Sequence, residues 1–142
     1  MPSHEGSHDS TEELIRAGEE QTRHTSRAEA GSTRAALANA LVGLMKQHYG
    51  RGPTAAKAWV LDDYVFVALE NGLTRNEETL VADGKEEEVR SYRLAFQQTV
   101  APIATRMVSE ITGRRVLTYH SQIVFHPARA FEIFVLEPAH SE

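Results

Sequence analysis

The stretch AKAWVLDDYVFVALE, residues 56–70, decides the fold class. Its two halves, Ala56–Leu61 and Tyr64–Glu70, are rich in valine, leucine and aromatic residues, which is typical of β-strands. Asp62 and Asp63 lie between them as a two-residue connection, although the pair lacks the usual glycine. The stretch therefore predicts a β-hairpin. Near the C-terminus, Arg115–Val124 and Arg129–Glu137 predict a second hairpin, joined through residues 125–128.

Helical patterns precede and separate these hairpins. An apolar stripe predicts a helix that begins at Ser32 or Thr33 and ends before Gly50. Thr74 and Glu77 form a capping-box pattern, which predicts a short helix through residue 81. A long helix follows over residues 85–112, and Pro102 should kink it or split it. The order is helix, two strands, two helices, two strands. We predict an α+β fold: two β-hairpins in an antiparallel four-stranded sheet with helices on one face.

The chain divides by composition into two parts. Residues 1–31 have three large apolar side chains and carry seven acids against three bases. Such a segment cannot offset its ordering entropy by burial, so we predict a flexible N-terminal arm. Residues 32–142 form the single predicted domain, with thirteen acids against twelve bases. A nearly neutral domain argues against nucleic-acid binding, which needs a basic surface.

Several classes of function are excluded by residue content. The chain has no cysteine, which rules out disulfides, thiolate metal sites and cysteine nucleophiles. Its first residues do not resemble a secretory signal, and its apolar runs are strand-sized. We therefore expect a cytoplasmic location without membrane insertion.

The predicted strands are apolar on both faces. In the second strand Val65 and Val67 would point one way and Tyr64 and Phe66 the other, whereas a half-solvated sheet should alternate apolar and polar residues. Helices can cover one side only, so something else should cover the other. Because two-fold dimers are the commonest assembly, we predict a homodimer. The interface candidates are Tyr64, Phe66 and Phe134, although a bulge would exchange the faces.

Metal and acid–base sites receive little support from the sequence. His4 and His8 are spaced as ligands on a helix, but they lie in the predicted arm. His120 and His126 flank the second hairpin and lack a defined third ligand, for which Glu132 or Glu137 would have to serve. Asp62 and Asp63 are better explained as turn residues than as an acidic pair. We predict no metal, no cofactor and no catalytic residue.

A small polar site is the remaining candidate for ligand binding. Arg114 follows the glycine that ends the long helix, and it could contact a phosphate or carboxylate with help from Arg51. The alternative is that its charge only complements the helix dipole. His120 and Ser121 could complete a pocket, but the sharp nucleophile turn of a serine hydrolase is absent.

Six segments together resemble a bacterial family, the MpsC-like family, over about residues 34–137. The order and spacing of the segments carry the resemblance rather than any single motif. The family is a domain of unknown function, and its name ties it to a sodium-translocating, membrane-potential-generating system. SQIVFHPAR (121–129) departs from the acidic loop of many relatives, which argues against a cation site there. The six segments are HYGRGP (48–53), LENGLT (69–74), EETLVADG (77–84), AFQ (95–97), ITGRRV (111–116) and EIFVLE (132–137).

The resemblance implies a role beside membrane ion or bicarbonate transport. The leading hypothesis is a non-enzymatic binding or regulatory module, dimeric, that contacts a protein partner at the membrane or a small anion. The alternative is a small-ligand sensor or an enzyme with a pocket around Arg114, His120 and Ser121. A deep polar pocket would favour the second hypothesis, and a buried apolar sheet face would favour the first.

Overall fold

A computed structural model describes residues 5–139, with side chains described for residues 11–17 and 27–139. It confirms the predicted α+β fold and the order of its elements. The four strands and the two later helices lie within about one residue of their predicted positions. The elements are α1 (Glu5–Tyr49), β1 (Ala55–Leu61), β2 (Tyr64–Glu70), α2 (Arg75–Ala82), α3 (Glu86–Thr112), β3 (Val116–Val124) and β4 (Arg129–Leu136).

The four strands form one antiparallel sheet in the order β1-β2-β4-β3. Each hairpin therefore contributes one central and one edge strand, and the two hairpins meet through β2 and β4. In that central pair Val65 lies opposite Phe134, and Phe66 lies opposite Ile133. This register decides which side chains share a face.

The first helix differs from its prediction. It begins at Glu5 rather than at Ser32 or Thr33. Residues 5–31 contain no proline and many good helix formers, so the backbone preference favours a helix here. The prediction of an unfolded arm rested instead on the lack of apolar surface. The chain divides into two units, residues 1–32 and 33–142. In the first unit the described side chains are almost all exposed, including Leu14 and Ile15. Flexibility of this arm stays a prediction.

Local signals set the boundaries of the other helices. The Thr74 hydroxyl accepts from the backbone of Glu77, and the Glu77 carboxylate accepts from the backbone of Thr74, so the predicted capping box is present. Gly50 and Gly113 adopt positive φ angles directly after α1 and α3, where a left-handed residue closes a helix. Pro102 lies inside α3, which is a single helix, so the predicted split does not occur.

The core lies on one side of the sheet, beneath residues of α1 and α3. Val65, Val67 and Leu69 of β2 face it, as predicted from their alternation. Phe134 faces it too and is fully buried. Its assignment to the same face as Tyr64 and Phe66 is therefore wrong, because its partner across the central pair is Val65. The helices contribute chiefly Leu37, Leu41, Leu44, Ala104 and Val108.

Candidate functional site

The side of the sheet away from the core carries a row of aromatic rings. Trp59, Phe66 and Phe131 come from three adjacent strands, and their ring centroids are 5.5 Å and 5.7 Å apart. Strand alternation places Ile133 and Tyr64 on the same side, and Tyr64 is half exposed. We call these five residues, with Leu61, the open face. Aromatic rings in contact across strands stabilise the sheet, but they also leave a continuous apolar surface.

A cavity of about 270 Å³ lies on the other side of the sheet, among α1, α3, β3 and β4. Its volume is just below the range of about 300–1,000 Å³ that is typical of small-molecule sites. Residues three or four apart on α3 line one wall, and alternating residues of β3 and β4 line the opposite wall. The lining includes Met45, Tyr49, Arg90, Arg93, Gln97, Val100, Tyr119, Ser121, Ile123 and Glu132.

Glu132 is the acid in the sheet wall of this cavity, and its side chain is only 2% exposed. Its Oε2 accepts a hydrogen bond of 2.9 Å from the Tyr119 hydroxyl, and the Ser121 side chain also bonds to it. Burial raises the pKa of Glu132 to about 7, against the opposing effect of these two hydrogen bonds and of the Arg93 charge. The carboxyl group therefore exchanges its proton near neutral pH.

Arg93 occupies the helix wall opposite, in a buried ion pair. Its Nε and Nη2 donate to the Glu77 carboxylate at 2.6 Å, and Nη2 also donates to the Gly72 carbonyl. The guanidinium lies 4.0 Å from the centroid of the Tyr49 ring, a cation–π contact. Burial by itself would raise the pKa of Glu77, but the hydrogen bonds and the charge of Arg93 lower it below its ordinary value. Burial raises the pKa of Tyr49 to about 12. Nη1 of Arg93 donates no hydrogen bond to any of the side chains that the structure describes or to the backbone of residues 5–139.

The structure brings only one of the four predicted ligand residues to this cavity. Ser121 lines it, whereas His120 is exposed and alternates to the open face of β3. Arg114 bonds to the Asp62 and Glu137 carbonyls and to the Asp63 carboxylate, so it fastens the end of α3 to the hairpin turn. Arg51 pairs with Glu78 at 2.7 Å in an exposed position. The four residues therefore do not form one site.

The described residues hold no group of three or more acidic, histidine or cysteine side chains that could bind a metal ion. His126 Nε2 lies 3.9 Å from Oε1 of Glu86. His4 lies outside the described residues, as does the side chain of His8. Over residues 5–139, no helix combines the length and the apolar character needed to cross a membrane.

Sequence reasoning missed the central acid of the cavity. The sequence analysis named Glu132 only as an auxiliary metal ligand. Strand alternation, however, places Glu132 on the same face as Ala130, Phe134 and Leu136. A lone carboxylate on an otherwise apolar, core-facing side of a central strand was the available signal. Arg93 gave no signal of its own, because its partner Glu77 lies on a different helix.

Comparison with known proteins gives a family. The family model described as Na⁺-translocating membrane potential-generating system (MpsC) matches residues 29–138. No curated protein and no solved structure matches the chain. The matched range contains the whole sheet, α2, α3 and the end of α1, so the chain belongs to the MpsC family.

Proposed function

We propose that this protein is a non-enzymatic, homodimeric binding module that serves as a peripheral component of a sodium-translocating, membrane-potential-generating system. The family description supports the system, since it names one. The open face supports the dimer and is the observation that carries the proposal. A protein partner at the membrane would then bind the assembled module rather than a single copy.

The open face has the chemistry of an interface between copies. Its rings form a row across β1, β2 and β4, where a solvated sheet would carry polar residues. Three strands of about seven residues cover roughly 330 Å² in projection, at about 4.8 Å between strands and about 3.3 Å per residue. Side chains add accessible area to that, so the open face supplies a large part of the roughly 800 Å² that each partner of a standard interface buries.

The test is the oligomeric state of matched variants. Sedimentation at tens of micromolar should show a dimer for the unmodified chain and a monomer for Tyr64→Glu and Phe66→Glu, with circular dichroism confirming that both stay folded. Tyr92→Glu is the control, because Tyr92 is a half-exposed aromatic of α3 outside the open face. An unmodified chain that sediments as a monomer contradicts the dimer. A dimer that only Tyr92→Glu dissociates would move the interface to the helices.

A second candidate function, the sensing of a small ligand, is favoured by the cavity around Glu132. The cavity lies between the sheet and the helices, and most of the residues that line it differ from those named for a pocket in the sequence analysis. Ser121 remains part of it, and Glu132, Tyr119 and Arg93 replace Arg114 and His120.

A further inference from the structure

We propose that the cavity binds a small zwitterion, a molecule of amino-acid size that carries both an ammonium and a carboxylate group. This inference rests on the second candidate function and is independent of the dimer. It follows from the arrangement of charge, because a buried carboxylate lies in the sheet wall and two guanidinium groups lie in the helix wall of one cavity.

The sheet wall provides the ammonium site. Among the described side chains, Glu132 has no cation within ion-pair distance, whereas the other buried acid, Glu77, is paired with Arg93. An unpaired carboxylate is costly in a buried position, and a ligand cation would remove that cost. The hydroxyl groups of Tyr119 and Ser121 flank the carboxylate and each keep a lone pair for an ammonium proton.

The helix wall provides the carboxylate site. Arg90 and Arg93 lie three residues apart on α3 and both line the cavity, as does Gln97 one turn further on. The bonds of Arg93 to Glu77 and Gly72 use Nε and Nη2, so Nη1 is left to donate to a ligand. Arg90 contacts Glu87 and lies over the Phe125 ring, and it is less buried than Arg93. Guanidinium groups bind carboxylates through paired N–H donors.

The space between these walls is apolar and small. Met45, Val100 and Ile123 line it, and its volume is about 270 Å³. An aliphatic amino acid is small enough to enter such a space. A ligand with a single charge is complementary to one wall only, because a bare cation also faces the two arginines and a simple anion also faces the Glu132 carboxylate.

Calorimetry on the full chain tests the proposal. The probes are the twenty common amino acids and, for an aliphatic one such as L-leucine, the matched amine and acid, 3-methylbutylamine and 4-methylpentanoate. At least one amino acid should bind at one site per chain, and its amine and acid analogues should bind at least tenfold more weakly. Absence of binding by all twenty contradicts the proposal, as does an analogue that binds equally well.

Two variants separate the two ends of the ligand. Glu132→Gln should weaken amino-acid binding at least tenfold without weakening binding of the acid analogue. Arg90→Gln should likewise weaken amino-acid binding without weakening binding of the amine analogue. Glu110→Gln is the control, because Glu110 is an exposed acid of α3. Equal binding by all three variants contradicts the assignment. Sedimentation of Glu132→Gln should match that of the unmodified chain, so a failed dimer and a failed ligand site remain distinguishable.

The pH dependence supplies a readout that a purely structural role would not produce. Tyr119 and Ser121 of β3, Arg93 of α3 and Tyr49 of α1 are the polar and charged groups that act on Glu132. Because an ammonium group prefers the ionised carboxylate, the affinity should fall about tenfold per pH unit below pH 7. Glu132→Gln should remove this slope. A slope that survives the substitution assigns it to another group and contradicts the proposal.

Discussion

The hydroxyl group of Tyr119 donates to the Glu132 carboxylate at 2.9 Å, and the Tyr119 ring is stacked on Phe134 at 4.4 Å between centroids. One tyrosine thus connects the titrating acid of the cavity to the centre of the core. A change in the ionisation of Glu132 acts on the same residue that packs against Phe134. Stability should therefore depend on pH through this acid.

Glu132→Gln should stabilise the protein at pH 8 and change it little at pH 5. The folded pKa of Glu132, about 7, exceeds the ordinary value of 4.5, so between these values the folded state binds more protons than the unfolded state. The contribution of Glu132 to the free energy of unfolding therefore falls as the pH rises, by up to about 3 kcal/mol. Urea unfolding of both proteins at pH 5 and pH 8 measures the difference, and an equal difference at the two pH values contradicts the prediction.

Glu77→Gln should lower the free energy of unfolding by about 3 kcal/mol or more. It leaves the buried guanidinium of Arg93 without its counter-charge, and removal of one partner from a buried pair is strongly destabilising. The neighbouring Glu78→Gln is the matched control. Glu78 pairs with Arg51 at the surface, where such pairs contribute less than about 1 kcal/mol. Denaturant unfolding of both variants checks the contrast, and similar losses would show that burial does not set the cost.

Phe134→Ala should lower the free energy of unfolding by about 3–5 kcal/mol, as expected for a fully buried phenylalanine. Phe134→Glu should not yield a folded monomer, because a charge at this position enters the core. Phe66→Ala should cost less, since Phe66 is only partly buried. A soluble, helical Phe134→Glu monomer would return this residue to the open face.

Residues 11–31 should exchange their amide protons quickly and be cleaved by protease in the isolated protein. Their described side chains are largely exposed although the backbone is helical, so packing does little to hold this part of the helix. The exchange rates of residues 37–45 in the same helix provide an internal control, because Leu37 and Leu41 are fully buried. Slow exchange over residues 12–20 would show that the arm docks.

The fold was predictable where the signals were local. Two strand-like runs around Asp62 and Asp63, the capping box at Thr74 and the glycines after the helices placed most of the elements. The start of α1 was not predictable from burial, because the described side chains of residues 11–31 are almost all exposed although the backbone is helical. There the backbone preference and the apolar pattern gave opposite indications.

The candidate site was less accessible from the sequence. Phe134 and Glu132 share a face, but assigning that face to the core required the register of β4 against β2, which joins residues far apart in the chain. The pairing of Arg93 with Glu77 likewise depends on how α2 and α3 meet. Residue types and spacing favoured Arg114 and His120, and the structure gives Arg114 contacts with a turn and a chain end instead.

The strand order β1-β2-β4-β3 has a consequence for how the chain folds. Two of the three strand pairings join neighbours across a short turn and close quickly, whereas the central pairing of β2 with β4 must first close a loop of more than fifty residues that contains α2 and α3. We expect both hairpins to gain structure before the barrier and the central pairing to form late. Substitutions in the β2–β4 contact, such as Val65→Ala, should then accelerate unfolding more than they slow folding in a stopped-flow chevron analysis. A large loss of folding rate would instead make that central contact the nucleus.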